Sequence, residues 1–215
     1  MKVKVDTVVI CAAGLGSRLG LDMPKCLVKV GNQPLIYYLL KVLEDVKNIR
    51  IVVGFKEEEV IACVKAIRAD VIFIRNKNYM STTNAYSLFL GSRDLPGPFV
   101  NIDGDMYLTQ QNFDLFYSKI RINEDLIAVT KSYTEDAVFV KLNDNQEVVE
   151  FSREKISDLE WTGIAYFSNV KISENGKYVY QEIEKFLPIQ SSEIECFEID
   201  TPKDLEVLSN KIEFI

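Results

Sequence analysis

The stretch "CAAGLGSRLGLDMPKCLVKV", residues 11–30, follows directly on a β-branched run, "VDTVVICA" at 5–12. A run of that kind fills a central strand buried on both faces. Glycines placed straight after such a strand let the backbone come close to something, most often a phosphate chain. Arg18 and Lys25, in the same stretch, supply positive charge to that anion.

The glycines at 14, 16 and 20 read G-x-G-x-x-x-G, one residue longer than the dinucleotide fingerprint. Pro24 would also interrupt the helix that should follow that fingerprint. A Walker-type loop needs GK[ST], which is absent here. A glycine-rich turn alone often does no more than join a strand to a helix, so the continuation of the stretch decides its meaning.

Composition narrows the partners. The chain has 215 residues, 47% of them hydrophobic, enough for one domain with a substantial core. Its net charge of −7 and the lack of a basic stripe argue against nucleic acid. The four cysteines, at 11, 26, 63 and 196, show no metal-ligand spacing, and the chain has no histidine. Cys11 and Cys63 read as small core residues, and the pattern suits a reducing cytoplasm. The opening lysines and apolar run imitate a signal peptide faintly, but Asp6, Arg18 and the short run argue otherwise. No stretch approaches the roughly 18 apolar residues of a membrane span, so a cytoplasmic protein without membrane contact is expected.

Strands and helices alternate through the first half. The pattern predicts helices over 34–47, 57–68 and 83–93, and strands over 49–55, 70–76 and 97–105. Such an order implies right-handed crossovers and a parallel sheet with helices on both faces. Ligands then bind beyond the carboxyl ends of the strands, where residues 12–25, Asp103 and Asp105 fall. The second half is richer in strands, with a hairpin around "NDNQ" and a strand over 161–168. Helix is expected at 173–187, a strand at 195–200 and a closing helix at 201–212 capped by Thr201. The expected fold is one α/β domain over 1–215, a Rossmann-like, mixed and mostly parallel sheet with a β-rich insertion.

The continuation "AAGLGSRLG", then "PK" at 24–25, then "GNQPLI" at 31–36, resembles the nucleotidyltransferase superfamily. These enzymes join a nucleoside triphosphate to a small phosphorylated molecule and release pyrophosphate. "NIDGDMYL" and "EIDTPKDLEVL" extend the resemblance over most of the chain. It implies a nucleotide-diphospho-sugar transferase-like fold, with residues 1–108 as its nucleotide-binding half and 109–215 as its acceptor-binding half and closing helix. It implies a triphosphate held by Ala12, Ala13, Gly14, Leu15, Gly16 and Ser17. It implies that Arg18 contacts the departing phosphates and that Lys25 neutralises the α-phosphate. It also implies magnesium (Mg2+) on Asp105 and Asp200, with Asp103 beside the nucleotide as a further ligand or an outer partner. An Asp at a strand end can equally be a turn or cap residue.

"YMSTTNAYSLFLG" at 79–91 is similar to small bacterial choline-phosphate cytidylyltransferases. That similarity implies CTP as donor, with Thr83 and Asn84 by the nucleotide and Tyr86 near the acceptor. The acceptor is then a small phosphate or phosphonate, with an amine or quaternary ammonium. Trp161 and Tyr166 are residue types that hold an ammonium, though aromatics in an α/β chain are usually core. The alternatives are a sugar-1-phosphate nucleotidyltransferase using UTP, dTTP or GTP, and a non-catalytic nucleotide-binding protein. The reading also allows a homodimer.

Overall fold

The computed structural model describes residues 5–133 and 137–212. Part of the expected acceptor-binding half, 109–215, and the two ends of the 1–215 domain lie outside them. The strand β1 (Thr7–Ala12) leads through two 3-10 turns to the short β2 (Lys29–Val30) and β3 (Gln33–Pro34). Then follow α1 (Leu35–Val42), β4 (Asn48–Val53), α2 (Glu57–Ile67), β5 (Ile72–Arg75), α3 (Asn84–Ser92) and β6 (Phe99–Asp103). The second half comprises β7 (Met106–Leu108), α4 (Gln110–Lys119), β8 (Leu126–Lys131), β9 (Phe139–Leu142), β10 (Glu147–Ser152) and β11 (Leu159–Phe167). It closes with α5 (Val179–Glu184), β12 (Ile189–Glu193), β13 (Cys196–Glu198) and α6 (Pro202–Ile212).

Nine strands form one mixed sheet in the order β5-β4-β1-β6-β11-β8-β12-β10-β9. The strands β5, β4, β1 and β6 run parallel, as the alternating pattern requires. Beyond them β11 is antiparallel to both β6 and β8, and β12 is parallel to β8. Val8, Val9 and Ile10 of β1 are wholly buried, because both faces of the sheet are covered. On one face Val8 and Ile10 pack with Leu39 of α1, Val60 of α2 and Phe116 of α4. On the other, Val9 packs with Leu88 of α3 and Ile183 of α5. The expected core thiols Cys11 and Cys63 are half-buried at the margin, whereas Cys26 and Cys196 are buried.

A third, smaller core matters most for function. Leu19 and Val28 from the glycine-rich stretch meet Leu35, Ile199 and Leu208. This core docks α6 onto the opening loop. The strand expected at 195–200 is the short β13, and it joins β7 in a separate two-stranded sheet. The Ile199 amide donates to the Asp105 carbonyl at 3.0 Å, so the late strand end is tied to the end of the β6–β7 turn.

The helix expected at 173–187 is confined to α5. Glu182, only 4% exposed, explains the shortening. Its carboxylate accepts from the Ser173 amide at 3.3 Å and from Lys185 at 2.8 Å, so the preceding residues wrap around it as a loop. The strand β12 has no apolar alternation to announce it, since Ser191 and Ser192 fill buried positions.

The helix α3 lies directly on the sheet because Gly91 has no side chain. A Cβ there would meet Val9 Cγ1 at 2.5 Å and Val52 Cγ2 at 2.9 Å. Gly91→Ala is expected to lower stability by about 1–2 kcal/mol, overpacking outweighing the roughly 1 kcal/mol gain in helix propensity. Urea unfolding checks this, and an unchanged midpoint would mean that α3 is free to lift from the sheet.

Candidate functional site

The site lies at the carboxyl edge of β1 and β6. After Ala12 and Ala13, both buried, the chain turns outward through exposed Gly14 and Leu15. Gly16 takes a left-handed conformation (φ 63°) and opens the short turn Ser17–Leu19. A side chain at Gly16 would be strained, and its Cβ would also lie 2.8 Å from Lys25 Cγ. The stem of Lys25 therefore passes directly over the glycine loop. Leu19 anchors the loop in the third core, which leaves Ser17 and Arg18 facing solvent.

Four of the expected residues converge into one charge cluster. Lys25 Nζ donates to Asp105 Oδ2 at 2.7 Å and also to Asp200 Oδ1. The Arg18 guanidinium pairs with the other oxygen of Asp200, at 2.6 Å. The side chains of Lys25, Asp105 and Asp200 are only 16–17% exposed, whereas that of Arg18 is 57% exposed. Burial alone would lower the affinity of Lys25 for its proton. Asp105 and Asp200 outweigh that and hold the ammonium above the usual lysine range.

Asp200 owes its place to the start of α6. The Asp204 carboxylate accepts from the Thr201 amide at 2.7 Å and the Asp200 amide at 3.1 Å, while Thr201 Oγ1 accepts from the Asp204 amide. This reciprocal cap fixes the backbone that presents Asp200. Sequence reasoning missed the neighbouring Glu198. Carboxylate oxygens of Asp105, Glu198 and Asp200 lie within 4.8 Å of one another. An all-oxygen donor set of this size fits a hard divalent cation such as magnesium. Glu198 is held well above the usual carboxylate range by desolvation and by Asp105 and Asp200, although much of its surface faces water. Strand alternation was the signal for it, because residues two apart in "EID" point the same way.

Asp103 sits deeper, at the end of β6. Its Oδ1 is buried without a hydrogen-bond partner, and burial followed by the charge of Asp105 pushes its carboxyl up to about 8. Gly163 of β11 makes room for it: the glycine has φ 78°, and a Cβ there would lie 2.6 Å from Asp103 Oδ2. The neighbouring Asn101 amide donates to the Gly163 carbonyl at 2.8 Å, which pins β11 against β6.

The loop before α3 is organised by Asn76, which is 2% exposed. Its amide donates to Thr82 Oγ1 and Ser87 Oγ, both at 3.0 Å. Thr83 precedes α3 with its hydroxyl buried and unpartnered, and Asn84 is exposed at the helix start. Tyr86 is half-buried beside Phe89 of the same helix. Trp161 is half-buried edge-on to Phe151, two residues before Gly163. Tyr166 is not part of this edge. It is 1% exposed and faces Val100 and Leu126 toward the opposite end of β6, so its ring is core.

Lys29 is exposed, whereas Lys56 pairs with Asp22 at 2.9 Å and ties the glycine-rich stretch to the start of α2. Among the described residues no helix is long and apolar enough to cross a membrane.

A choline-phosphate cytidylyltransferase of Streptococcus pneumoniae is 36% identical over 110 residues, covering 49% of this chain and 47% of that protein. A bifunctional IPC transferase and DIPP synthase of Aquifex aeolicus is 27% identical over 94% of this chain and 50% of its own. The chain thus spans about half the length of these curated relatives. The solved inositol-1-phosphate CTP transferase of T. maritima shares the fold, with a TM-score of 0.77 at 19% identity over 99% of this chain and 98% of that one. Residues 8–160 match the family of the MobA-like NTP transferase domain, and the chain belongs to that family.

Proposed function

We propose that this nucleotidyltransferase moves CMP from CTP to a small phosphorylated or phosphonate acceptor and releases pyrophosphate. The observation that carries the reading is the cluster of Arg18, Lys25, Asp105 and Asp200 beside the glycine loop. An acceptor phosphate oxygen attacks the α-phosphorus, a new P–O bond forms, and the bond to the β-phosphate oxygen breaks. A phosphate monoester has its second pKa near about 6, so the nucleophile is already an anion. No general base is needed, which suits a chain without histidine.

What the reaction demands is alignment of two anions and neutralisation of the charge that gathers on the leaving group. Backbone N–H groups of Gly14 to Ser17 would hold the β- and γ-phosphates. Arg18 would turn to the departing pyrophosphate and Lys25 to the α-phosphate. Magnesium, held by Asp105 and Asp200 with Glu198 in reach, would supply charge neutralisation across the triphosphate. The Ala12–Gly14 backbone and the Thr82–Asn84 segment would face the base, where the unpartnered Thr83 hydroxyl offers a hydrogen bond.

The similarity to a choline-phosphate cytidylyltransferase supports CTP and a cationic acceptor. So do the rings near the acids. Tyr133 is 58% exposed, and its ring lies 6.0 Å from that of Phe197, the residue before Glu198. Aromatic faces beside a carboxylate suit an ammonium group. Trp161, and Tyr86 on α3, would bound the acceptor on the side of Gly163.

Three outcomes check this reading. Lys25→Ala is expected to leave the circular dichroism spectrum unchanged and cut kcat by at least about a hundredfold, the scale of one lost transition-state charge partner. Normal pyrophosphate release by that variant would remove Lys25 from the reaction. With CTP, kcat/KM is expected to rank phosphocholine or aminoethylphosphonate above glycerol phosphate, and glucose-1-phosphate last. Tyr133→Ala should raise the KM for phosphocholine by about 2- to 30-fold, the range of one cation–π contact, and leave glycerol phosphate unaffected. Preference for glucose-1-phosphate would overturn the acceptor class.

A further inference from the structure

We propose that Asp200, assisted by Asp105, makes the site selective for the metal-loaded triphosphate by holding back both cations that would bind the free one. The inference rests on the nucleotidyl-transfer reading above and adds a specificity role to carboxylates assigned there only to the metal. Both oxygens of Asp200 are occupied: Oδ1 by Lys25 and Oδ2 by Arg18. Two of the three donors of the Lys25 ammonium are taken, one by Asp105 and one by Asp200. The groups suited to phosphate and the groups suited to metal are thus bonded to each other.

A metal-free triphosphate meets a site in which neither cation is free of a carboxylate. Capturing Lys25 would leave Asp105 and one oxygen of Asp200 without their partner, in surroundings where their side chains are only 16–17% exposed. Stranding such charges is costly, and the incoming phosphate would face them directly. With a divalent cation held by the same carboxylates both terms would reverse: Asp105 and Asp200 would be compensated, and Lys25 and Arg18 would be free for the phosphates. Each ligand thereby favours the other, and the linkage is reciprocal. Glu198 provides an internal control, because its carboxylate oxygen is within 4.8 Å of those of Asp105 and Asp200 but it pairs with neither cation among the described residues.

Calorimetric titration of CTP in EDTA tests the idea without turnover. Asp200→Asn is expected to bind metal-free CTP at least about tenfold more tightly than wild type, a coupling of ordinary allosteric size. Glu198→Gln alters a carboxyl of the same cluster but frees neither Lys25 nor Arg18, so it should gain no more than about threefold, the scale of one weak surface charge interaction. Asp105→Asn, which loosens Lys25 alone, should fall between them and stands in should the Asp200 variant fold poorly. Equal gains for Asp200→Asn and Glu198→Gln, or no gain in either aspartate variant, would overturn the selectivity role. Failure of wild type to bind CTP with magnesium present would instead overturn the nucleotidyl-transfer reading beneath it.

Discussion

The ion pairs of Lys25 with Asp105 and Asp200 hold the functional edge together. They join residues 80 and 175 positions apart in the chain. A lysine stem runs over Gly16, its ammonium bridges the ends of β6 and β13, and the same carboxylate receives Arg18. The arrangement needs the third core, because Leu19, Val28, Ile199 and Leu208 press α6 against the glycine loop. A half-buried cation between two carboxylates is a poor source of stability and a good means of specifying geometry. Here it sets the groups proposed to bind phosphate and the groups proposed to bind metal in contact with each other.

The parallel half of the sheet and the mixed half both contribute residues to this edge. Crossover topology brings the ends of β1 and β6 to one edge, where the Gly104 amide donates to the Cys11 carbonyl at 2.8 Å. The antiparallel entry of β11 then lays Gly163 on Asp103 and places Trp161 beyond the strand end. On the proposed reading the acceptor would lie against β11, β13 and the segment near Tyr133, and the triphosphate against the glycine loop.

Much of this was legible in the sequence. Runs of Val and Ile with short glycine-bearing connections announce parallel strands, and β1, β4, β5 and β6 sit where the pattern places them. The cluster of Arg18, Lys25, Asp105 and Asp200 was named from its motifs, and those residues meet in space. The misses have physical causes. Buried serines hide β12, the demand of Glu182 for partners unwinds the start of an expected helix, and β13 prefers β7 to the large sheet. Tyr166 shows that residue type says nothing about depth, since a tyrosine near a strand end can be core. Glu198 was overlooked for the opposite reason, because a surface carboxylate looks ordinary until its neighbours are known.

The most direct measurement is a double-mutant cycle in urea between Lys25→Met and Asp200→Asn, on ligand-free protein. If the bridge organises the edge, the pair should show a coupling energy of about 1–3 kcal/mol, the range for residues in one ion-pair network. Additive effects, with no coupling beyond about 0.3 kcal/mol, would show that Lys25 and Asp200 do not hold each other and would contradict the account.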